Sequence, residues 1–167
     1  MTDLSLVKRS ATGGCQCGAI RYRADRMFDN AHLCHCRMCQ KAVGNIFAAL
    51  VATPDEALHF TRGTPSTFAS SAQAVRGFCA KCGTPLFYRG TSGRTNLTIG
   101  SLDNPGDFPP KTEIGIEARV CWFEGLPNVR DDGITEKTGQ QDWAADIRAS
   151  NRQHPDHDTE NWLPPAI

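Results

Sequence analysis

Seven of the eight cysteines in this 167-residue chain fall into three close clusters. The clusters read C-x-C, C-H-C-x-x-C and C-x-x-C, and they comprise Cys15 and Cys17; Cys34, Cys36 and Cys39; and Cys79 and Cys82. Cysteines so near in sequence rarely reach each other to form a disulfide, whereas their thiolates readily converge on one metal ion. Thiolates are soft ligands that favour zinc, Cu(I) or iron–sulfur clusters. The common iron–sulfur spacings do not occur here, so zinc is favoured and an iron–sulfur cluster is the alternative.

The seven sulfurs divide into four and three, because zinc takes four protein ligands in a closed structural site and three in an open catalytic one. Cys17 and Cys82 are each followed by glycine, which permits the left-handed backbone of a metal-binding turn. These matching turns predict that two distant parts of the chain share one structural zinc. Its ligands would be Cys15, Cys17, Cys79 and Cys82.

The remaining cysteines, Cys34, Cys36 and Cys39, predict a second zinc with three thiolate ligands and a free fourth position. The alternative is a structural site, closed by a fourth ligand from His32, His35 or Cys121. His35 lies between two of the cysteines and, in an extended segment, points away from them. That position favours a surface residue or a supporting contact to a ligand.

An open three-thiolate site has constrained chemistry. Three thiolates donate charge to the metal, so a bound water is acidified less than in a three-histidine site. Hydrolysis is therefore less favoured than capture of an external thiol as a fourth sulfur ligand. A thiol cosubstrate is the natural partner of such a site.

Short strands separated by turns must position these cysteines. The segment 19–24 alternates apolar and polar residues, and 45–52 is an apolar run of strand length. Strands recurring with turn residues between them predict a mainly β fold. We predict further strands at 58–62, 66–70, 74–78, 84–88, 96–100 and 113–119, a helical turn at 37–43 ended by Gly44, and a helix at 140–149.

Composition limits the classes of function. Apolar residues make up 40% and charged residues 22%, which is typical of a folded domain. The net charge is zero, which argues against a nucleic-acid-binding surface. There is no apolar run long enough to span a membrane and no apolar core of a signal peptide at the N-terminus, so we expect a cytoplasmic protein.

The charge is unevenly distributed along the chain. Residues 1–100 contain 12 Lys and Arg against 5 Asp and Glu, whereas residues 101–167 contain 6 against 13. Either the two parts neutralise each other in the fold, or a basic surface near the cysteines attracts a small anion. We divide the chain into a zinc-binding β domain at 1–127 and an acidic extension at 128–167. In the extension Trp143 and Trp162 are expected to be packing anchors, and His154 and His157 to be solvated.

Three segments carry a resemblance to a known family. G-G-C-Q-C-G-A-I-R-Y at 13–22, C-H-C-R-M-C-Q-K at 34–41 and F-C-A-K-C-G-T-P-L at 78–86 resemble the glutathione-dependent formaldehyde-activating enzyme (GFA) family, which includes centromere protein V. The resemblance covers roughly residues 10–125. It implies a zinc-stapled sandwich of twisted antiparallel β-sheets, with the same division into four structural and three catalytic zinc ligands.

The resemblance also implies a reaction. The family reaction joins glutathione and formaldehyde into S-hydroxymethylglutathione, and in reverse it is a carbon–sulfur lyase reaction. We therefore expect two zinc ions per chain, with glutathione and an aldehyde as partners; the alternative is a non-catalytic zinc scaffold that binds another protein. One departure is that Glu113-Ile114 stands where family members often have His-Ile, ahead of Cys121-Trp122.

Overall fold

The computed structural model describes residues 6–7, 9–137 and 139–163, and short β-strands are its commonest element. The mainly β class predicted from the sequence is confirmed. The strands are β1 (Leu6–Val7), β2 (Ala11–Gly14), β3 (Arg21–Ala24), β4 (Met27–Phe28), β5 (His32–Cys34), β6 (Ala48–Pro54), β7 (Leu58–Arg62), β8 (Ser66–Ser71), β9 (Ala74–Phe78), β10 (Pro85–Arg89), β11 (Arg94–Thr98) and β12 (Thr112–Ile114). The α-helices are α1 (Arg37–Val43) and α2 (Gln141–Ser150), and 3-10 turns cover Asp55–Ala57, Ile99–Ser101, Pro105–Asp107, Ile116–Ala118, Phe123–Asn128 and Thr135–Lys137.

The largest sheet has seven strands in the order β12-β5-β6-β11-β10-β9-β8. A three-stranded sheet has the order β2-β3-β7, and β1 pairs with β4. The expected antiparallel sheets are confirmed, and one parallel pair, β12 with β5, is added to them. That pair brings the segment after residue 111 beside the second cysteine cluster.

The core lies between the seven-stranded and three-stranded sheets. Tyr22 of β3 is fully buried and its ring meets Phe60 of β7 edge-on at 6.3 Å. Phe60 in turn lies 6.1 Å from Phe87 of β10, which is paired with Leu97 of β11. Burial of these apolar side chains contributes to the stability of the fold. The other face of the seven-stranded sheet lies outside this core and carries polar residues.

The helical turn after the second cluster is confirmed, because α1 covers Arg37–Val43 and ends at Gly44 with a φ of 63°. The predicted strand at 113–119 is wrong beyond Ile114. Gly115 adopts a φ of 67°, which turns the chain out of the strand, and a 3-10 turn follows. Alternation of residue types alone did not reveal that turn.

The segment after residue 150 contacts the β-sheets through buried groups. Trp162 donates from Nε1 to the carbonyl oxygen of Cys17 at 2.9 Å, as expected of a packing anchor. Trp143 is 57% exposed, so the expectation that it packs is wrong. His154 is buried, not solvated, and its ring lies 4.8 Å from that of Trp162. Its backbone N–H also donates to the Gln16 carbonyl at 2.7 Å.

Opposite charges from the two parts of the chain meet in the fold. Arg21 is buried, and its guanidinium donates to both carboxylate oxygens of Asp103, at 2.7 and 2.5 Å. It also pairs with Asp158 at 2.8 Å. At Arg21, a cation of the basic first part is thus neutralised by two carboxylates of the acidic second part. Among the described residues, no helix is both long and apolar enough to cross a bilayer.

Candidate metal centres

The first candidate centre joins two turns that are far apart in sequence. Cys15 and Cys17 follow β2, whereas Cys79 and Cys82 follow β9, and all four sulfurs lie within 4.8 Å of one another. The Sγ atoms of Cys15 and Cys17 are 3.6 Å apart, and those of Cys17 and Cys79 are 3.9 Å apart. All of these thiols are free rather than disulfide-bonded. The structure therefore brings together the four cysteines that the sequence assigned to one site.

Each of the two turns is closed by the glycine that follows its second cysteine. Gly18 has a φ of 71° and donates its N–H to the Cys15 carbonyl at 3.0 Å. Gly83 has a φ of 77° and donates to the Cys79 carbonyl at 2.8 Å. The predicted left-handed glycines are confirmed, and they curl each turn so that its cysteines face the same point.

The second candidate centre lies where β5 ends and α1 begins. Cys34 is the last residue of β5, Cys36 is the N-cap residue of α1, and Cys39 lies in its first turn. The Sγ atoms of Cys34 and Cys36 are 3.4 Å apart, and all three sulfurs lie within 4.8 Å of one another. A short strand followed at once by a helix thus places three sulfurs on one side of a single loop.

Within the described part of the chain, no fourth His, Cys, Asp or Glu ligand atom joins this three-sulfur group. His32 faces the same region, but its Nδ1 bonds to the Asn30 carbonyl at 2.8 Å. Cys121 is exposed and belongs to neither group. The three residues that could have closed the site, His32, His35 and Cys121, therefore stay outside both sulfur groups.

The His35 side chain packs on the side of the cysteine loop that faces away from the sulfurs. Its side chain is fully buried between the rings of Phe47 and Phe123, at 5.8 and 4.8 Å. Its Nε2 lies 3.5 Å from a carboxylate oxygen of Glu113. The sequence correctly indicated that it points away from the cysteines, but the surface position was wrong.

Gln40 is a site residue that the sequence analysis missed. It is buried in α1, and its Nε2 donates to the His35 carbonyl at 2.7 Å and to the Ala118 carbonyl at 2.9 Å. It therefore ties the cysteine loop to the segment after β12. A glutamine directly after the last cysteine of a C-x-x-C turn gives no signal of its own in a single sequence.

A cavity of about 480 Å³ adjoins the three-cysteine group. It lies on the polar face of the seven-stranded sheet, and its walls include the three cysteines, Arg76, Tyr88 and Arg94. This volume falls within the range typical of small-molecule sites. Ile114 lines the cavity, whereas Glu113 is held by Arg119 at 3.0 Å outside it.

Both sulfur groups fit a tetrahedral metal ion. Zinc–sulfur bonds of about 2.3 Å separate the ligand sulfurs by roughly 3.8 Å, close to the distances observed here. Burial raises the pKa of the Cys34 thiol to about 12 and that of the Cys15 thiol well above its usual range. Sulfurs so buried ionise only beside positive charge, which a divalent cation would supply. The two cysteine clusters could therefore each hold a metal ion.

The fold and these clusters define a mainly β domain with two candidate metal centres, one of four sulfurs and one of three. Residues 10–118 match the model of the family described as glutathione-dependent formaldehyde-activating enzyme. The chain belongs to this family. The match spans both clusters and ends just after β12.

This chain is also similar to two known proteins. A Schizosaccharomyces pombe protein whose printed name is an uncharacterized lyase is 30% identical over 109 residues, which is 65% of this chain and 76% of that protein. The crystal structure of a Rhodobacter sphaeroides protein superposes with a TM-score of 0.52 at 22% identity, over 61% of this chain and 98% of that one. At that identity the second likeness concerns the fold alone.

Proposed function

We propose that this chain is a zinc-dependent carbon–sulfur lyase that acts on a thiol–aldehyde adduct, such as that of glutathione and formaldehyde. The observation that carries the proposal is the three-cysteine cluster, which opens into the cavity without a fourth protein ligand among the described residues. The family description and the printed name of the yeast relative support the same reaction class.

Cys34, Cys36 and Cys39 would hold the reactive ion, and the four-sulfur cluster would hold a structural one. Zinc bound by three thiolates supplies Lewis acidity and a coordination position that accepts sulfur or oxygen. Around it, Arg76 donates from Nη2 to the Cys39 sulfur at 3.4 Å and offsets part of the negative charge of the sulfurs.

The bond changes are simple. In the synthetic direction the thiol sulfur bonds to the carbonyl carbon, and the S–H proton ends on the carbonyl oxygen. In the reverse direction the C–S bond breaks and that proton returns to sulfur. The cavity contributes by holding thiol and aldehyde together, which replaces a bimolecular encounter with a local one.

The alternative of a non-catalytic zinc scaffold predicts a second site that a protein ligand closes, without an adjoining cavity. The three-sulfur arrangement and the cavity beside it favour the enzyme.

The experiment is an exchange measurement on zinc-loaded protein. Formaldehyde and glutathione combine spontaneously, so NMR exchange between free and adducted glutathione is recorded with and without protein. We expect the chain to accelerate this exchange, and Cys36→Ser to reduce it to the spontaneous rate. Cys121→Ser is the matched control, because Cys121 is exposed and outside both groups. Equal acceleration by the wild type and Cys36→Ser would refute the proposal.

The structural assignment has its own test. Cys15→Ser removes a buried sulfur from the four-cysteine cluster, so we expect a lower yield of folded protein, because a structural zinc contributes folding free energy directly. Circular dichroism and a zinc count would measure this. A folded, active Cys15→Ser variant would contradict the assignment.

A further inference from the structure

The wall of the cavity contains two cationic side chains. Arg76 and Arg94 line it, and no Asp or Glu is among its described lining residues. Arg76 is already engaged, because it donates to the Cys39 sulfur and its guanidinium lies 5.1 Å from the centre of the Tyr88 ring. No hydrogen bond, ion pair or ring contact between described residues involves the guanidinium of Arg94. Arg76 is thus engaged with a cysteine, whereas the Arg94 guanidinium is available to a ligand.

The sheet register shows which residues accompany Arg94. Along β11, Thr95 and Leu97 are fully buried in the core, so Arg94 and Asn96 project to the cavity face. Asn96 is paired with Tyr88 of β10, and Tyr88 is paired with Arg76 of β9. A row of hydrogen-bonding side chains therefore crosses three adjacent strands in the cavity wall.

The register also separates Arg94 from the sulfurs. Cys34 is paired with Ala48 at the first residue of β6, and Arg94 is paired with Pro54 at its last residue. Six residues of strand correspond to about 20 Å between the two backbone positions. Both side chains reach into the cavity between these positions, so a ligand that touches both ends must be extended.

We infer that Arg94, together with Asn96, is a subsite for a carboxylate of the thiol substrate, and that this carboxylate lies several bonds away from the sulfur. The inference rests on the proposed function for the identity of the sulfur end. An arginine fork matches the geometry of a carboxylate and is stronger than a neutral hydrogen bond. The subsite selects thiols that are both long and anionic over short or neutral ones. Arg94 is a specificity-determining residue rather than a catalytic one.

The first test measures binding without chemistry. S-Methylglutathione has the carboxylates of glutathione but no thiol, so zinc-loaded protein is titrated with it and with its diethyl ester, followed by NMR. We expect the wild type to bind the acid more tightly than the ester, and Arg94→Gln to weaken acid binding about 10- to 100-fold. Arg94→Lys should recover part of the loss, since it keeps the charge but not the fork.

The matched control is Arg130→Gln. It removes the same charge from an arginine that is exposed, pairs only locally with Asp132 and does not line the cavity. We expect it to bind S-methylglutathione as the wild type does. Equal binding of acid and ester by the wild type, unchanged acid binding by Arg94→Gln, or absence of acid binding would each overturn the inference.

A second measurement separates this inference from the proposed function. The exchange assay is run with glutathione and with glutathione diethyl ester, and the ratio of the two kcat/KM values should fall about tenfold in Arg94→Gln. If both thiols are turned over and Arg94→Gln leaves the ratio of their kcat/KM values unchanged, the lyase proposal stands and the subsite is refuted. If binding depends on Arg94 but no catalysis is detected, the subsite stands and the lyase proposal is refuted.

Discussion

The buried ion pair between Arg21 and Asp103 gives the sharpest stability prediction. The two side chains are 3% and 4% exposed, and they share two hydrogen bonds. Asp103→Asn keeps the shape and removes the charge, which leaves the Arg21 guanidinium with Asp158 as its charged partner. Breaking a buried pair on one side costs about 3–5 kcal/mol, and Asp158 offsets part of this. We therefore expect a loss of about 3 kcal/mol in the free energy of unfolding.

The assay is urea unfolding of zinc-loaded protein, with far-UV circular dichroism as the signal that monitors unfolding. For a chain of this size, a loss of about 3 kcal/mol corresponds to a fall in Tm of roughly 6–12 °C. Asp158→Asn is the control, because Asp158 is 54% exposed and should contribute less than about 1 kcal/mol. If the two variants lost the same stability, the reasoning that separates buried from exposed partners would be refuted.

The same pair fixes a pH dependence. Burial alone would raise the pKa of Asp103, but hydrogen bonds from Arg21 and Thr12 outweigh it and hold the pKa below its usual range. A carboxyl whose pKa is lowered by folding contributes stability above its unfolded pKa of about 3.9 and loses it as the pH falls through the lower folded value. The difference between the wild type and Asp103→Asn should therefore be constant from about pH 8 to about pH 5. Closure of the gap near neutral pH would assign the effect to another group.

Three further predictions concern the metal centres. Trp162→Ala removes the hydrogen bond to the Cys17 carbonyl, so a chromogenic chelator should extract the structural zinc about fivefold faster. Gly115→Ala should lose zinc from the three-cysteine site, because its Cβ would lie 2.7 Å from the Cys36 nitrogen; Gly93→Ala, with a similar φ and open space, is the control, and equal zinc contents would contradict this. Elemental analysis should find about two zinc ions per wild-type chain and about one in Cys36→Ser.

Much of the two sites could be predicted because each cysteine turn is local in sequence, although the four-cysteine cluster joins two distant turns. The division of the cysteines follows from the spacing of C-x-C, C-x-x-C and C-H-C-x-x-C and from the glycines at 18 and 83, which act within single turns. Local patterns also located α1 and its end at Gly44. Each of these features is decided by interactions over a few residues, which a single sequence displays directly.

What the sequence did not reveal depends on pairing between distant strands. The parallel contact of β12 with β5 positions Ile114 in the cavity wall, and no local pattern specifies that partner. Arg76 and Arg94 meet the site only through the order β6-β11-β10-β9 of the sheet. The polar C-terminal segment predicts a solvated His154, but His154 is buried, with contacts to Gln16 and Trp162.

The two cysteine clusters differ in what approaches their exposed side. Two loops, each closed by a glycine turn, meet in the four-cysteine cluster, so four sulfurs surround one point. At the three-cysteine cluster a second loop is replaced by strand β9, which contributes Arg76 beside the Cys39 sulfur. Three thiolates around a divalent ion carry one excess negative charge, which a guanidinium balances. A guanidinium cannot itself ligate a cation, so Arg76 can compensate this charge without occupying the fourth position, which the proposed function assigns to a substrate.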